Sequence, residues 1–332
     1  MSNSHRLMAI DAWRFILAML IIWHHLPWID GHVHSLGYCA VSFFFIASGY
    51  LSAHSDTSNL KRYYTRKFFR IFPIYWIALI LALIETIPIR SAWTPAAVLD
   101  ILQYVFLLQA YSSFEARPMF YYLNAPMWFL CVMVLFYALL PLLQRWQRRN
   151  PRVFALCVLL YSIAAVVVTW CCFDGVYWVR VNMPFVRISE CLLGMVLAYS
   201  LRDYTLSDIH KYLSVAVLIL FFVFAYYVPN QYIRPYLSIP IMAYLFVAYL
   251  HCKENVILRC ISKWGGVSME IYIFHNIIIT GLIRFQGILH FTFPQWCDIA
   301  IVYIGTISVA YLYHRYVAPK ISSIEHKALS KS

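Results

Sequence analysis

The chain has 332 residues, 63% of them hydrophobic and only 12% charged, with a formal net charge of +12 and a mean hydropathy of +0.69. A soluble chain carries about a quarter charged residues, so a soluble globular enzyme is excluded, and short basic loops account for the charge better than nucleic-acid binding does. Nine cysteines show no C-x-x-C spacing, and those in apolar stretches (Cys39, Cys131, Cys157, Cys191) read as small packing residues rather than metal ligands.

Apolar stretches of spanning length fall at 10–28, 36–53, 71–88, 125–143, 153–172, 185–201, 211–228, 236–251, 267–289 and 296–318. Each is near the roughly 20 residues a bilayer requires. The first contains Asp11, Arg14 and two histidines and lacks an A-x-A site, so it is expected to remain as a helix rather than be cleaved. A further stretch, 95–111, follows Pro95 and holds Asp100 and Gln103. If it does not span, the basic segments 60–70, 144–152, 201–211 and 251–263 all fall on the cytoplasmic side. If it spans, the four arginines of QRWQRRNPR land outside. The expectation is therefore an all-α polytopic membrane helix bundle, one domain over 1–332. It has about ten transmembrane helices, one interfacial or re-entrant helix at 95–111, and both termini cytoplasmic.

Arg14 and His25 stand eleven residues apart in the first stretch, and ionisable groups at membrane depth are usually functional. Eleven helical steps return to within about 20° of the start, so the two share one face roughly 16 Å apart, whereas His24 is turned about 80° from Arg14. Asp11 precedes Arg14 by three residues and can pair with it. Taken alone, Arg14 is equally well explained as a snorkelling anchor. Ser48-Gly49, in the aromatic run 38–53, permits close approach of ligand or backbone, and plain helix packing is the better reading of that stretch alone.

Lys67 and Arg70 lie three apart where the basic run 60–70 enters the membrane, a place where clustered cations grip phosphates or, more commonly, set topology and hold anionic lipid. Arg187 and Glu190 form an i,i+3 pair that also reads as a structural clasp. Ser268, Tyr272 and His275 recur on one helical face, as a polar seam or a cavity wall, with Glu270 directed elsewhere. Asp30, His32 and His34 could form a metal site only with a further pair of ligands that the sequence does not provide nearby, and no metal is expected.

In this order the segments resemble the integral-membrane acyltransferase-3 family, whose members O-acylate cell-surface carbohydrates. The resemblance runs from residue 8 to about 318. It rests on D-x-x-R with R-x10-H (Asp11, Arg14, His25), F-F-x-x-S-G-Y-L (Phe44, Phe45, Ser48, Gly49, Tyr50, Leu51) and R-I-F-P (Arg70, Ile71, Phe72, Pro73). It continues through W-x-L…F-Y…P (Trp128, Leu130, Phe136, Tyr137, Pro141), R-x-x-E-x-x-x-G (Arg187, Glu190, Gly194) and S-x-x-x-Y-x-x-H (Ser268, Tyr272, His275). Two departures stand out. Met133 occupies a place where many members carry Glu, which points to a WFL-type branch. Lys67 replaces the usual first Arg of R-x-x-R, keeping charge but losing the bidentate fork. The chain is also expected to lack the esterase-like extra domain of some members.

The resemblance implies acetyl transfer from cytoplasmic acetyl-CoA to a hydroxyl of a cell-surface polysaccharide or its lipid-linked precursor, such as O-antigen, capsule or exopolysaccharide. The location it implies is a bacterial inner membrane. Arg14, Lys67 and Arg70 would meet CoA phosphates, and Asp11 would orient Arg14. His25 would act as general base or carry the acyl group itself. Ser48, Trp128, Arg187, Glu190, Tyr272 and His275 would line the substrate cavity. Partners are acyl-CoA, a carbohydrate acceptor and the bilayer, not nucleic acid. A transporter or flippase for a glycan or lipid-linked glycan is the alternative, but it predicts inverted repeats that the two halves do not display.

Overall fold

The computed structural model describes residues 3–29, 36–87, 97–111, 123–173, 179, 181–201, 209–227, 234–250 and 256–330. Among these the regular structure is entirely helical. Thirteen helices are labelled here in chain order: α1 (Asn3–His25), α2 (Leu36–Ser52), α3 (Leu60–Thr86), α4 (Ala97–Val105), α5 (Trp128–Arg149), α6 (Pro151–Cys172), α7 (Pro184–Ser200), α8 (Ile209–Tyr227), α9 (Arg234–Leu250), α10 (Val256–Ser262), α11 (Ser268–Leu289), α12 (Gln295–Leu312) and α13 (Ala318–Ser330). Asp30, His32 and His34 lie outside the described residues.

Among the described residues, five helical runs are long and apolar enough to cross a membrane: Leu60–Thr86, Ala125–Arg149, Pro151–Cys172, Val256–Leu289 and Gln295–Ser330. Cys39–Ser52, Tyr212–Phe221 and Ser238–Leu250 are shorter apolar helices. Two of the expected spans are helical but not among these five: α1 carries Asp11 and Arg14, and α7 is seventeen residues long and carries Arg187 and Glu190. Helix α4 is nine residues long. At 1.5 Å per residue it covers about 13 Å, under half of a bilayer core of about 30 Å.

The chain divides into two compact units. The first comprises Met1–Ser55, Leu142–Val181 and Phe185–Ser268; the second comprises Asp56–Pro141, Asn182–Pro184 and Met269–Ser332. In the first unit α1 packs on α2, α9 and α10, α2 on α9, and α8 on α9. A close helix contact there is made by two glycines. A Cβ on Gly49 of α2 would stand 1.9 Å from the Cys191 carbonyl oxygen, and one on Gly194 of α7 would stand 2.1 Å from the Ile46 carbonyl oxygen. Each helix thus lays its glycine on the other's backbone, the arrangement small residues permit in membranes. Gln144, in the first-unit part of α5, donates to the carbonyls of Ser52, Ala53 and Ser55 at 2.8, 3.2 and 3.1 Å. These carbonyls lie at and beyond the end of α2, where helical partners run out.

In the second unit, Pro141 inside α5 removes the N–H that would have bonded the Tyr137 carbonyl. Tyr63 of α3 supplies the missing donor at 3.0 Å, and Tyr64 donates to Ala138 at 2.9 Å. Helix α4 docks on α3 by the same means: Tyr75 and Trp76 donate to the terminal carbonyls of Tyr104 and Val105. It ends with Leu107 at φ 56°, which lets Leu108 N–H reach back to Gln103 at 2.7 Å and Leu107 N–H to Tyr104 at 3.1 Å. This is a Schellman closure built without glycine.

Gly49→Ala and Gly194→Ala are each expected to lower stability by about 1–3 kcal/mol, because backbone, not a movable side chain, faces the added methyl. Thermal unfolding of purified variants in detergent checks this; unchanged midpoints would rule out the close crossing of α2 and α7.

Candidate active site

Helix α1 is unbroken from Asn3 to His25, so Arg14 and His25 do occupy one face of a single rod. Arg14 Nη1 lies 3.2 Å from Asp11 Oδ1, and the two side chains remain 18% and 38% exposed. Neighbouring elements hold this end of the helix. Trp13 stacks on Tyr249 with centroids 4.0 Å apart, Trp264 lies near Phe15, and a Cβ on Gly265 would stand 2.4 Å from the Asp11 carbonyl oxygen. Arg14 therefore keeps a partly accessible guanidinium on a braced helix, which suits an anionic ligand.

At the other end, His25 Nδ1 is 2.9 Å from the carbonyl oxygen of Ile21, one turn back. A carbonyl can only accept, so Nδ1 carries the proton, and in the neutral ring the lone pair belongs to Nε2. His24 is placed differently: its ring packs against the backbone of Gly37, where a Cβ would stand 2.3 Å from His24 Cγ. The two imidazoles meet edge to face at 4.7 Å. His24 thus has a packing role at the start of α2, while His25 is set in one tautomer by its own helix.

On α7, Arg187 is 1% exposed and Glu190 fully buried, with Nε 3.0 Å from Oε1. Arg187 Nη2 also donates to Ser42 Oγ of α2 at 3.3 Å, and its guanidinium lies over the Phe45 ring. The pair is a clasp between α2 and α7 beside the two crossing glycines. Ser48 is half-buried next to Gly49.

The second unit holds Lys67, Arg70, Trp128, Tyr272 and His275. Lys67 Nζ sits 3.7 Å from the centre of the Tyr137 ring, a cation–π contact, and Arg70 one turn on is exposed. The N-terminus of α3 is capped by Asn59, whose Oδ1 accepts from Arg62 N–H at 2.9 Å. In the loop before it, hydrogen bonds from Ser58 hold the Asp56 carboxyl below its ordinary range. Trp128 opens α5 and is largely buried. The Tyr272 hydroxyl donates to the Pro126 carbonyl, and His275 Nδ1–H donates to the Tyr272 carbonyl. Asn124 Nδ2 bonds the Ile273 carbonyl at 3.0 Å, so the segment before α5 is fastened to α11 twice. Glu270 turns away and meets His314 at 3.2 Å.

The structure thus brings together Asp11 with Arg14, Arg187 with Glu190, and Tyr272 with His275. It adds Ser42, Tyr137, Gln144 and Asn124 as partners that spacing along the chain did not reveal. Pro141 carried a signal for one of them: a proline in a buried helix frees the carbonyl four residues back.

A family model described as an acyltransferase domain matches residues 8–315. The chain is also 29% identical over 198 residues to Acyltransferase MdmB of Streptomyces mycarofaciens, a match covering 52% of this chain and 48% of that protein. The chain therefore aligns with about half the length of this curated relative. No solved structure matches.

Arg187→Met alone is expected to cost about 3–5 kcal/mol by leaving Glu190 buried without its cation. The double change Arg187→Met with Glu190→Met should cost far less. Unfolding midpoints of both variants test this, and equal losses would overturn the clasp.

Proposed function

The chain belongs to the acyltransferase-3 family, and from that premise we propose that it moves an acetyl group from acetyl-CoA to a hydroxyl of a cell-surface polysaccharide or its lipid-linked precursor. The observation that most directly supports this reading is the arrangement on α1, where a partly exposed, carboxylate-braced arginine and a tautomer-set histidine share one face. In this reading Arg14, Lys67 and Arg70 hold the phosphates of the donor, and Asp11 orients Arg14. His25 Nε2 takes the acceptor's hydroxyl proton as the oxygen attacks the thioester carbonyl. A C–O bond forms, the C–S bond breaks, and the proton passes to the leaving thiolate as CoA thiol. Transfer by way of His25 itself splits the same exchange into two steps. Trp128, Tyr272 and His275 are assigned to contact with substrate, as is Ser48, whereas the sealed Arg187–Glu190 pair serves as the clasp between α2 and α7.

The proposed topology has ten spans, both termini in the cytoplasm of a bacterial cell, and 95–111 at the interface of its inner membrane. The basic loops favour this, as does the short length of α4. Acetyl-CoA then reaches the Arg14 end of α1, and the acceptor meets the His25 end.

His25→Ala is expected to reduce O-acetylation of the surface glycan by about 10²–10⁴-fold, with membrane insertion and unfolding midpoint unchanged. His24→Ala should act chiefly on stability, through its contact at Gly37. Retained acetylation in His25→Ala excludes both roles for this histidine. Arg70→Ala, at an exposed position, should raise the KM for acetyl-CoA several-fold with little change in kcat. An unaltered KM in initial-rate measurements would remove Arg70 from the donor site.

A further inference from the structure

The first unit contains a cavity of about 330 Å³ between α6, α7 and α9 that the acyl-transfer reading leaves unused. Its walls include Val158, Leu159 and Ala165 of α6, Leu193 and Val196 of α7, and Ile239 of α9. Arg187 and Glu190 form the charged part of the lining, as a neutral pair. The hydroxyls of Ser162 and Ser189 also line it, and each donates to its own helix, to Val158 and Val186 carbonyls at 2.8 Å. These two hydroxyls are thus engaged within the protein, and apart from the ion pair and Tyr236 the remaining lining is apolar and offers dispersion contacts.

The position of the mouth indicates what reaches it. Helix α6 is the least buried of the spanning helices, with only 17% of its apolar window inside. Leu159, on the cavity wall, is 57% exposed, and Leu156, Leu160, Ile163 and Val167 beside it are all more than half exposed. In a bilayer this face meets hydrocarbon, not water. The volume is at the small end for organic ligands. It holds roughly ten groups of about 30 Å³ each, the scale of part of one aliphatic chain. A void left empty would forfeit the contacts of its lining atoms.

We infer that this crevice binds a single acyl chain of a bilayer phospholipid, which enters past Leu159 and lies over the buried Arg187–Glu190 pair.

The test uses the full chain in vesicles of phosphatidylethanolamine and phosphatidylglycerol containing a trace of phospholipid with a diazirine along one acyl chain. After irradiation, adducts are mapped by residue. The expected result is labelling of Val158, Leu159, Ala165, Leu193 or Val196, reduced several-fold by Ala165→Leu and nearly lost in Ala165→Trp. Val167→Trp on the outer face should leave that labelling in place, and unfolding midpoints in the same vesicles identify any variant that has lost its fold. Ala165→Leu decides the matter if the tryptophan variant does not fold. Labelling confined to Leu156, Leu160, Ile163 and Val167, which marks lipid merely surrounding the protein, overturns the proposal. So does lining-residue labelling that Ala165→Leu leaves unchanged.

Discussion

A carbonyl without a helical partner has no water to turn to inside a bilayer, and both units are arranged around that demand. In the second unit the Tyr137 carbonyl, released by Pro141, is taken by Tyr63, and the terminal carbonyls of α4 are taken by Tyr75 and Trp76. Tyr272 and Asn124 add bonds to backbone carbonyls that tie α11 to the segment before α5. In the first unit Gln144 gathers three carbonyls at and beyond the end of α2, and Gln147 bonds Met195 on α7 at 2.7 Å. The abundance of tyrosine follows in part from this. A phenol brings an apolar body and one donor, so it can close a gap in a helix without itself becoming an unsatisfied group.

Charge is handled by the same logic, with two different outcomes. Arg187 and Glu190 are sealed, matched and bonded to Ser42, and the glycine crossing of α2 and α7 brings the helices close enough for that. Such a pair is costly to break yet adds little net stability; its value lies in permitting one register of the two helices. Asp11 and Arg14 are matched but open. The open pair leaves part of the Arg14 guanidinium accessible, which the sealed pair does not.

Patterns within single helices were legible in the sequence, and relations between helices were not. The α1 face, the i,i+3 pair on α7 and the shared face of Tyr272 and His275 all follow from helical periodicity. Gly49 as a packing residue follows from its small size, but its pairing with Gly194 on α7 could be identified only from the fold. The bonds to Ser42 and to the Tyr137 carbonyl are illegible for the same reason: a partner 145 or 74 residues away leaves no local trace. Span counting by hydropathy works where helices are long and uniformly apolar. It is blunted at α1, where polar groups interrupt the stretch, and at α2, α7 and α9, which are seventeen residues each.

The bond from His25 to Ile21 is made within one helix, four residues apart. Part of what orients the ring therefore comes with the helix itself. A bond of this kind persists however the neighbouring helices vary. On the role proposed for His25, divergence in substrate becomes a problem of reshaping space rather than of re-inventing chemistry.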